Sequence, residues 1–348
     1  MTAARLAVTA ARRLVRMARL RHGRPGGNNG QGWGFAAGTI VTSTCIGVGV
    51  VSAKEQEDDD EQQCHRAEVI IIGGGIVGSA VACHLTTAGV GGVTLLERGS
   101  VGCEASGLSA GTIWNAGCPL TVRVEDSSLF LRARSAALLE ALGECEHNRC
   151  GALDVAATEA EAALLQSDFE QQRRKGLVVE WCGHQDEIVA LEPALAGGTA
   201  LCATHTPLSG SVQPALATQR FAAVAASNGC AIIEGADVVS LQKCKSKQKN
   251  HYKAYKATTA DGRVFRAKHV VIAAGAAAAP LADGLGVRLP VVPIKGVICS
   301  AHCAVPGALK KVIFDMGSRL HFREAGSGRD DASGVPALCT HDVSEGNG

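Results

Sequence analysis

Glu68-Val69-Ile70-Ile71-Ile72-Gly73-Gly74-Gly75-Ile76-Val77-Gly78, with Glu97 further on, decides the fold. Residues 68–72 are apolar at every position after the first, as a strand buried on both faces must be. Gly73, Gly75 and Gly78 fill the G-x-G-x-x-G positions: the first for the tight turn, the second for backbone approach to a pyrophosphate, the third for close helix–strand packing. A helix is predicted over 76–88, stopped by Gly89. Its free N–H groups and its positive dipole end suit a phosphate. A second strand over 93–96 ends in Glu97, whose carboxylate accepts from ribose hydroxyls and disfavours a 2′-phosphate. Strand, turn, helix, strand and acid occur in the order of a dinucleotide-binding crossover.

Working outward, 348 residues suffice for two core-forming units. With 46% hydrophobic residues, 19% charged and a net charge of +1, the composition is globular and lacks the basic excess of a nucleic-acid binder. Glycine abundance and scarce aromatics favour an α/β protein. The 14 cysteines contain no Cys-x-x-Cys pair, and the nearest metal-like cluster is Cys299-Ser300-Ala301-His302-Cys303. No metal is expected, and scattered cysteines fit a reducing compartment.

The first residues differ from the rest. Up to Lys54 there is no Asp or Glu, while arginine recurs at 5, 12, 13, 16, 19, 21 and 24. Residues 1–34 read as a basic targeting arm of mitochondrial type, or a plain basic arm. Residues 35–53 carry no charge and just reach the length of a bilayer span, as a membrane anchor or a removable leader. Location is therefore expected to be mitochondrial, with membrane-anchored and cytoplasmic alternatives. An acidic linker follows over 54–66.

Beyond Glu97 come Arg98, then Ser106, Ser109 and Ala110, then Trp114-Asn115-Ala116-Gly117. Small residues and hydroxyls of this kind wrap a pyrophosphate and let backbone run along an extended flavin. Together with Val212-Gln213-Pro214, Val238-Val239-Ser240-Leu241, Val270-Val271-Ile272-Ala273-Ala274-Gly275-Ala276 and Pro290-Val291-Val292-Pro293-Ile294-Lys295-Gly296, they resemble the D-amino-acid-oxidase-like family of FAD-dependent oxidoreductases. The resemblance spans roughly 67–323. It implies FAD contacts at Gly73–Gly78, Glu97, Arg98, Ser106, Ser109, Ala110, Asn115, Ala116, Gly117, Val238, Ala274 and Gly275. Some relatives carry a flavin-linked histidine after the tryptophan. Asn115 stands there in this chain, so FAD is expected to be held without a covalent bond.

The expected fold is α/β: a Rossmann-like FAD-binding domain over 67–120 and 209–280, with an incomplete α+β substrate domain over 121–208 and 281–324. Helices are predicted over 129–142 and 157–175, strands over 178–181, 231–233, 238–241 and 270–273, and a hairpin over 252–266 around Asp261-Gly262. The segment Ala190-Leu191-Glu192-Pro193 resembles a family motif, and the charged residues around it read as a solvated face. Residues 325–348 are polar, glycine-rich and expected to be disordered.

The resemblance implies hydride transfer from a C–N bond of a small amino acid or N-methylated amine to flavin N5. Arg323 is the candidate for pairing with a substrate carboxylate and His321 for tuning proton transfer. The alternatives are a truncated, non-catalytic FAD-binding remnant and C–OH oxidation of a hydroxyacid. The partner expected is a small amine or amino acid, with no nucleic acid. The electron acceptor is left open, and membrane association would run through 35–53.

Overall fold

The computed structural model describes residues 49–50, 64–114, 126–244, 254–294, 309–324 and 338–340. In chain order the elements are β1 (Gly49–Val50), β2 (Cys64–Ile72), α1 (Ile76–Thr87), β3 (Val93–Leu96), β4 (Thr112–Ile113), α2 (Asp126–Leu142), β5 (Ala152–Ala156), α3 (Glu159–Arg174), β6 (Glu180–Cys182), α4 (Gln185–Leu191), β7 (Cys202–Thr206), β8 (Gly210–Ser211), α5 (Pro214–Ser227), β9 (Ala231–Ile233), β10 (Val238–Cys244), β11 (Ala254–Thr259), β12 (Val264–Ile272), α6 (Ala278–Asp283), β13 (Val312–Asp315), β14 (Leu320–Phe322) and β15 (Leu338–Thr340). The chain divides into two units, one of Met1–Gly107 with Thr218–Pro293, the other of Leu108–Ala217 with Ile294–Gly348.

The first unit is built on a seven-stranded sheet ordered β10-β11-β12-β2-β3-β9, with β1 on β12. From β12 to β9 the pairing is parallel, and β10-β11-β12 is an antiparallel meander. The parallel centre explains the apolar run: Val69, Ile70, Ile71 and Ile72 pair with Val93 to Leu96 on one side and His269 to Ile272 on the other, and all four are buried. The helix α1 packs against β3 and β2 and buries Ala80, Ala82 and Leu85. Across the meander the periodicity is two. Tyr255, Ala257, Phe265 and Ala267 point to a core shared with Leu241, Ile272 and Leu281, while their sequence neighbours point away.

The second unit carries a six-stranded sheet ordered β15-β14-β13-β5-β7-β6, parallel only between β13 and β5. Its two faces hold separate cores. On one, Leu165 of α3 packs with Ala156, Cys202, Phe314 and Met316. On the other, Ile188 of α4 packs with Leu153, Val155, Ala203 and Ile313. A capping box fixes the start of α3: Thr158 Oγ1 accepts from the Glu161 N–H, and the Glu161 carboxylate accepts from the Thr158 N–H.

Several sequence expectations need correction. The segments over 263–266 and 270–273 form one strand, β12, because its ladder to β2 runs through Ala267 and His269 without a break. The strand expected at 68 begins at Cys64, so residues 64–66, assigned to the linker, pair with Val264, Phe265 and Arg266. Within the tail expected to be disordered, Leu338–Thr340 extends the second sheet alongside β14. Of residues 35–53 only Gly49–Val50 is described, and it pairs with Val271 and Ile272 as a strand. Among the described residues no helix is long and apolar enough to cross a membrane.

Candidate functional site: the glycine turn and its acid

In the first unit the turn after β2 is pressed between β12 and β3. The Gly73 N–H donates to the Leu96 carbonyl at 2.8 Å, and the Ala273 N–H donates to Ile72 at 2.8 Å. Gly73 holds φ at +107°, and a Cβ there would meet the Ala273 carbonyl oxygen at 2.5 Å. A Cβ on Gly78 would sit 1.9 Å from the Gly73 carbonyl oxygen. These two positions admit no side chain, and that is how the start of α1 comes to lie directly over the turn.

Glu97 is buried at the end of β3. Its Oε2 accepts the Gly74 N–H at 2.6 Å and its Oε1 accepts the Gly99 N–H at 2.8 Å. Each carboxylate oxygen has two acceptor sites, so each retains capacity for a hydroxyl. Ser106 reaches back to the helix, and its Oγ accepts the Ile76 N–H at 2.9 Å. Val77 and Gly78 belong to the first turn of α1, where no carbonyl lies a turn earlier to receive their N–H groups. Together these groups form an anion cradle: helix-terminal amides, a serine hydroxyl and backbone that no Cβ obstructs, with a buried carboxylate alongside. That donor set fits the pyrophosphate and adenosine ribose of FAD.

The other expected contacts divide. Ala274 and Gly275 follow β12 directly, at the strand end that abuts Gly73. Val238 is buried in the core with Ile72 and Leu96, so only its backbone can serve a ligand. Arg98 points to the surface and pairs with Glu104 at 2.5 Å. Asn115, Ala116 and Gly117 lie outside the described residues. Glu234 escaped the sequence reading altogether. Its Oε1 accepts the Val101 N–H at 2.6 Å and pins the loop that follows Glu97. An acid one residue beyond β9 was the signal that could have found it.

Ser109 and Ala110 belong to the second unit, just before β4. There Arg323 is buried, and its Nε donates to the Ala110 carbonyl while Nη1 donates to the Glu324 carbonyl at 2.9 Å. It lines a cavity of about 180 Å³ together with Asn148, Cys150, Gln213, Lys310 and Lys311. None of the glycine-turn residues lines that cavity. Burial pushes the Cys150 thiol up, which keeps it neutral. His321 packs at a tilt against Phe314 at 4.5 Å and meets the edge of Trp114 at 5.6 Å, an aromatic setting two residues from Arg323 in sequence.

Two acids in this unit contradict the solvated face expected of its charges. Glu192 is fully buried and accepts the N–H groups of Lys310 at 2.7 Å, Lys311 at 2.8 Å and Ala194 at 3.2 Å, so it shapes the cavity wall. Asp154, on the central strand β5, is buried opposite Thr204. Burial, and then the charge of Asp168, hold its carboxyl well above the usual carboxylate range.

The profile of the family described as FAD dependent oxidoreductase matches residues 68–329. Glycine oxidase of Geobacillus kaustophilus (strain HTA426) is 30% identical over 243 residues, 67% of this chain and 61% of the relative. The 4-methylaminobutanoate oxidase (formaldehyde-forming) of Paenarthrobacter nicotinovorans is 30% identical over 169 residues, 48% of this chain and 20% of the relative. Among solved structures, glycine oxidase from Geobacillus kaustophilus aligns with a TM-score of 0.67 and 27% identity, covering 79% of this chain and 70% of that one. Iminodiacetate oxidase from Chelativorans sp. BNC1 aligns with a TM-score of 0.60 and 25% identity, covering 80% and 73%. The chain thus spans about three fifths of the glycine oxidase sequence it matches. With the cradle and the profile in agreement, the chain belongs to the FAD dependent oxidoreductase family.

Proposed function

We propose that the protein oxidises the C–N bond of a small amino acid or N-methylated amine, with hydride leaving the substrate carbon for flavin N5. Bound FAD supplies the two-electron acceptor, and the chain supplies binding, orientation and exclusion of water. Gly73 to Gly78, Ser106 and Glu97 hold the dinucleotide end. Arg323 takes the substrate carboxylate through charge-assisted hydrogen bonds. The substrate amine binds neutral. As the C–H pair departs, the nitrogen lone pair closes a C=N bond, the N–H proton passes to solvent with His321 tuning the transfer, and water hydrolyses the imine.

The observation that carries this reading is the burial of Arg323 in the wall of a polar cavity. A guanidinium removed from water needs partners. Arg323 donates to two backbone carbonyls and keeps a positive charge in the cavity wall, which suits an anionic substrate group. Relatives named for glycine, 4-methylaminobutanoate and iminodiacetate oxidation support a small carboxylate-bearing amine.

The test is anaerobic titration of the purified, FAD-reconstituted full chain with glycine, sarcosine and related amines. Bleaching of the flavin absorption is expected. Arg323→Met should raise KM for carboxylate-bearing substrates by about 100-fold, the worth of about 3 kcal/mol for a charged hydrogen bond. Flavin that binds but stays oxidised with every amine favours the non-catalytic reading, and a chain that retains no FAD sinks both. Release of the flavin on denaturation tests its non-covalent attachment. Mitochondrial residence stays a proposal resting on residues 1–34, tested by import of a fluorescent fusion.

A further inference from the structure

The cavity that Arg323 lines holds a second cation, and the second unit fixes its course from backbone to tip. Lys311 directly precedes β13. Its N–H donates to the fully buried Glu192 carboxylate at 2.8 Å, beside that of Lys310 at 2.7 Å. The Lys311 stem then passes Gly151, which holds φ at +80°. A Cβ added to Gly151 would lie 3.6 Å from Lys311 Cδ and 2.7 Å from His205 Nε2. A glycine suits both the backbone and the space there, and the stem runs clear to the Cys150 carbonyl, to which Nζ donates at 2.7 Å. Cys150 and Lys311 both line the cavity.

That partner is a neutral carbonyl. It leaves the ammonium its charge and two further N–H donors. Among the described residues no carboxylate forms an ion pair with Lys311. Arg323 and Lys311 also lie near one another. Burial pushes the Cys150 thiol up, while the charges of Lys311 and Arg323 both pull it down, so both cations stand close to the same sulfur. Lys310 shares the Glu192 clamp but is exposed, which leaves half-buried Lys311 as the cation with a fixed place in the wall. Two acids, Glu146 and Glu324, line the same cavity and admit an amine in the same ligand. We propose that the cavity takes a small amine bearing two carboxylates, one held by Arg323 and the other by Lys311. The inference rests on the reading of Arg323 as the carboxylate site and adds the group that selects a dicarboxylate over a monocarboxylate. Because Lys311 is already placed, the second charge-assisted hydrogen bond forms with little ordering cost.

The experiment is titration calorimetry of the FAD-reconstituted full chain with two ligands of one shape: succinate, and succinamate, in which an amide replaces the second carboxylate. The native chain should bind succinate about 10-fold more tightly, the worth of one hydrogen bond between charged groups. Lys311→Met should abolish that preference and leave succinamate binding unchanged, whereas Lys311→Arg should keep it. Arg323→Met should weaken both ligands. An unchanged Tm shows that a variant is folded, and the comparison of the two ligands on the native chain needs no variant at all. Equal affinity of the native chain for both ligands, or a preference that survives Lys311→Met, would overturn the inference. If Arg323→Met still weakens both, the carboxylate site at Arg323 stands without it. Failure of both ligands to bind, or indifference of both to Arg323→Met, would overturn the two readings together.

Discussion

At the scale of single residues, the cradle depends on atoms that are absent. Gly78→Ala would drive a methyl group to 1.9 Å from the Gly73 carbonyl oxygen, so the helix must lift off the turn. The expected outcome is a loss of about 1–3 kcal/mol, the usual cost of overpacking, read from chemical denaturation. FAD affinity should fall with it, because the helix amides leave the phosphate site. Glu97→Gln removes no volume but replaces an acceptor by an NH₂ group. Since both oxygens accept backbone N–H groups, one amide must then face a donor. FAD binding, followed by flavin fluorescence, should weaken about 10–100-fold, the equivalent of about 1.5–3 kcal/mol for a hydrogen bond to a charged group.

At the scale of elements, β5 carries an acid that its neighbours cannot satisfy. Asp154 Oδ1 has no hydrogen-bond partner among the described residues, and Thr204 Oγ1 reaches Oδ2 only at 3.5 Å. Its ionisation is therefore held well above the usual carboxylate range in the fold, while an unfolded Asp ionises near pH ~3.9. Folding takes up a proton. This contribution is whole below the unfolded value and drains away as pH rises through the raised folded value. Asp168, raised by burial, works with the same sign. Asp154→Asn should accordingly flatten the fall in Tm between acid and neutral pH. At neutral pH it should raise Tm by a few degrees, what about 1 kcal/mol is worth in a chain of this size. An unchanged pH profile would show that Asp154 is ionised in the fold.

The same scale shows what the sequence could and could not reveal. The turn, α1, β3 and Glu97 were legible because each is specified by a few adjacent residues with a strict spacing. The unity of β12 was not, since Lys268 and His269 interrupt its apolar pattern and only the partner strand shows that the ladder continues. Glu192 and Asp154 were not legible either. Nothing within a few residues of Glu192 announces that it will bind the amides of Lys310 and Lys311, which lie more than a hundred positions away. Arg323 was singled out, and it does line a cavity, but its bond to the Ala110 carbonyl depends on tertiary structure alone.

At the scale of the whole molecule, the cofactor is a thermodynamic ligand as well as a reagent. FAD at a hundredfold excess over its Kd should stabilise the protein by about 2.7 kcal/mol, visible as a rise in Tm that grows with ligand concentration. FMN, which lacks the adenosine that Glu97 is placed to hold, should give a much smaller shift at equal concentration. Equal shifts from the two nucleotides would remove Glu97 from the site.

One strand has a consequence for how this chain can vary. β12 leaves the exposed Asp261-Gly262 corner and runs unbroken to Ala273, whose carbonyl fills the space a Gly73 side chain would need. Tolerance to replacement should therefore be graded along a single ruler. It should be broad at Val264, confined to apolar residues by Val270, and narrowed to the smallest residues at Ala273, where the methyl group already lies 3.4 Å from the place a Gly78 Cβ would take. A saturation library selected for flavin retention would trace that gradient directly. The interval between free drift and strict constraint would be the length of nine residues.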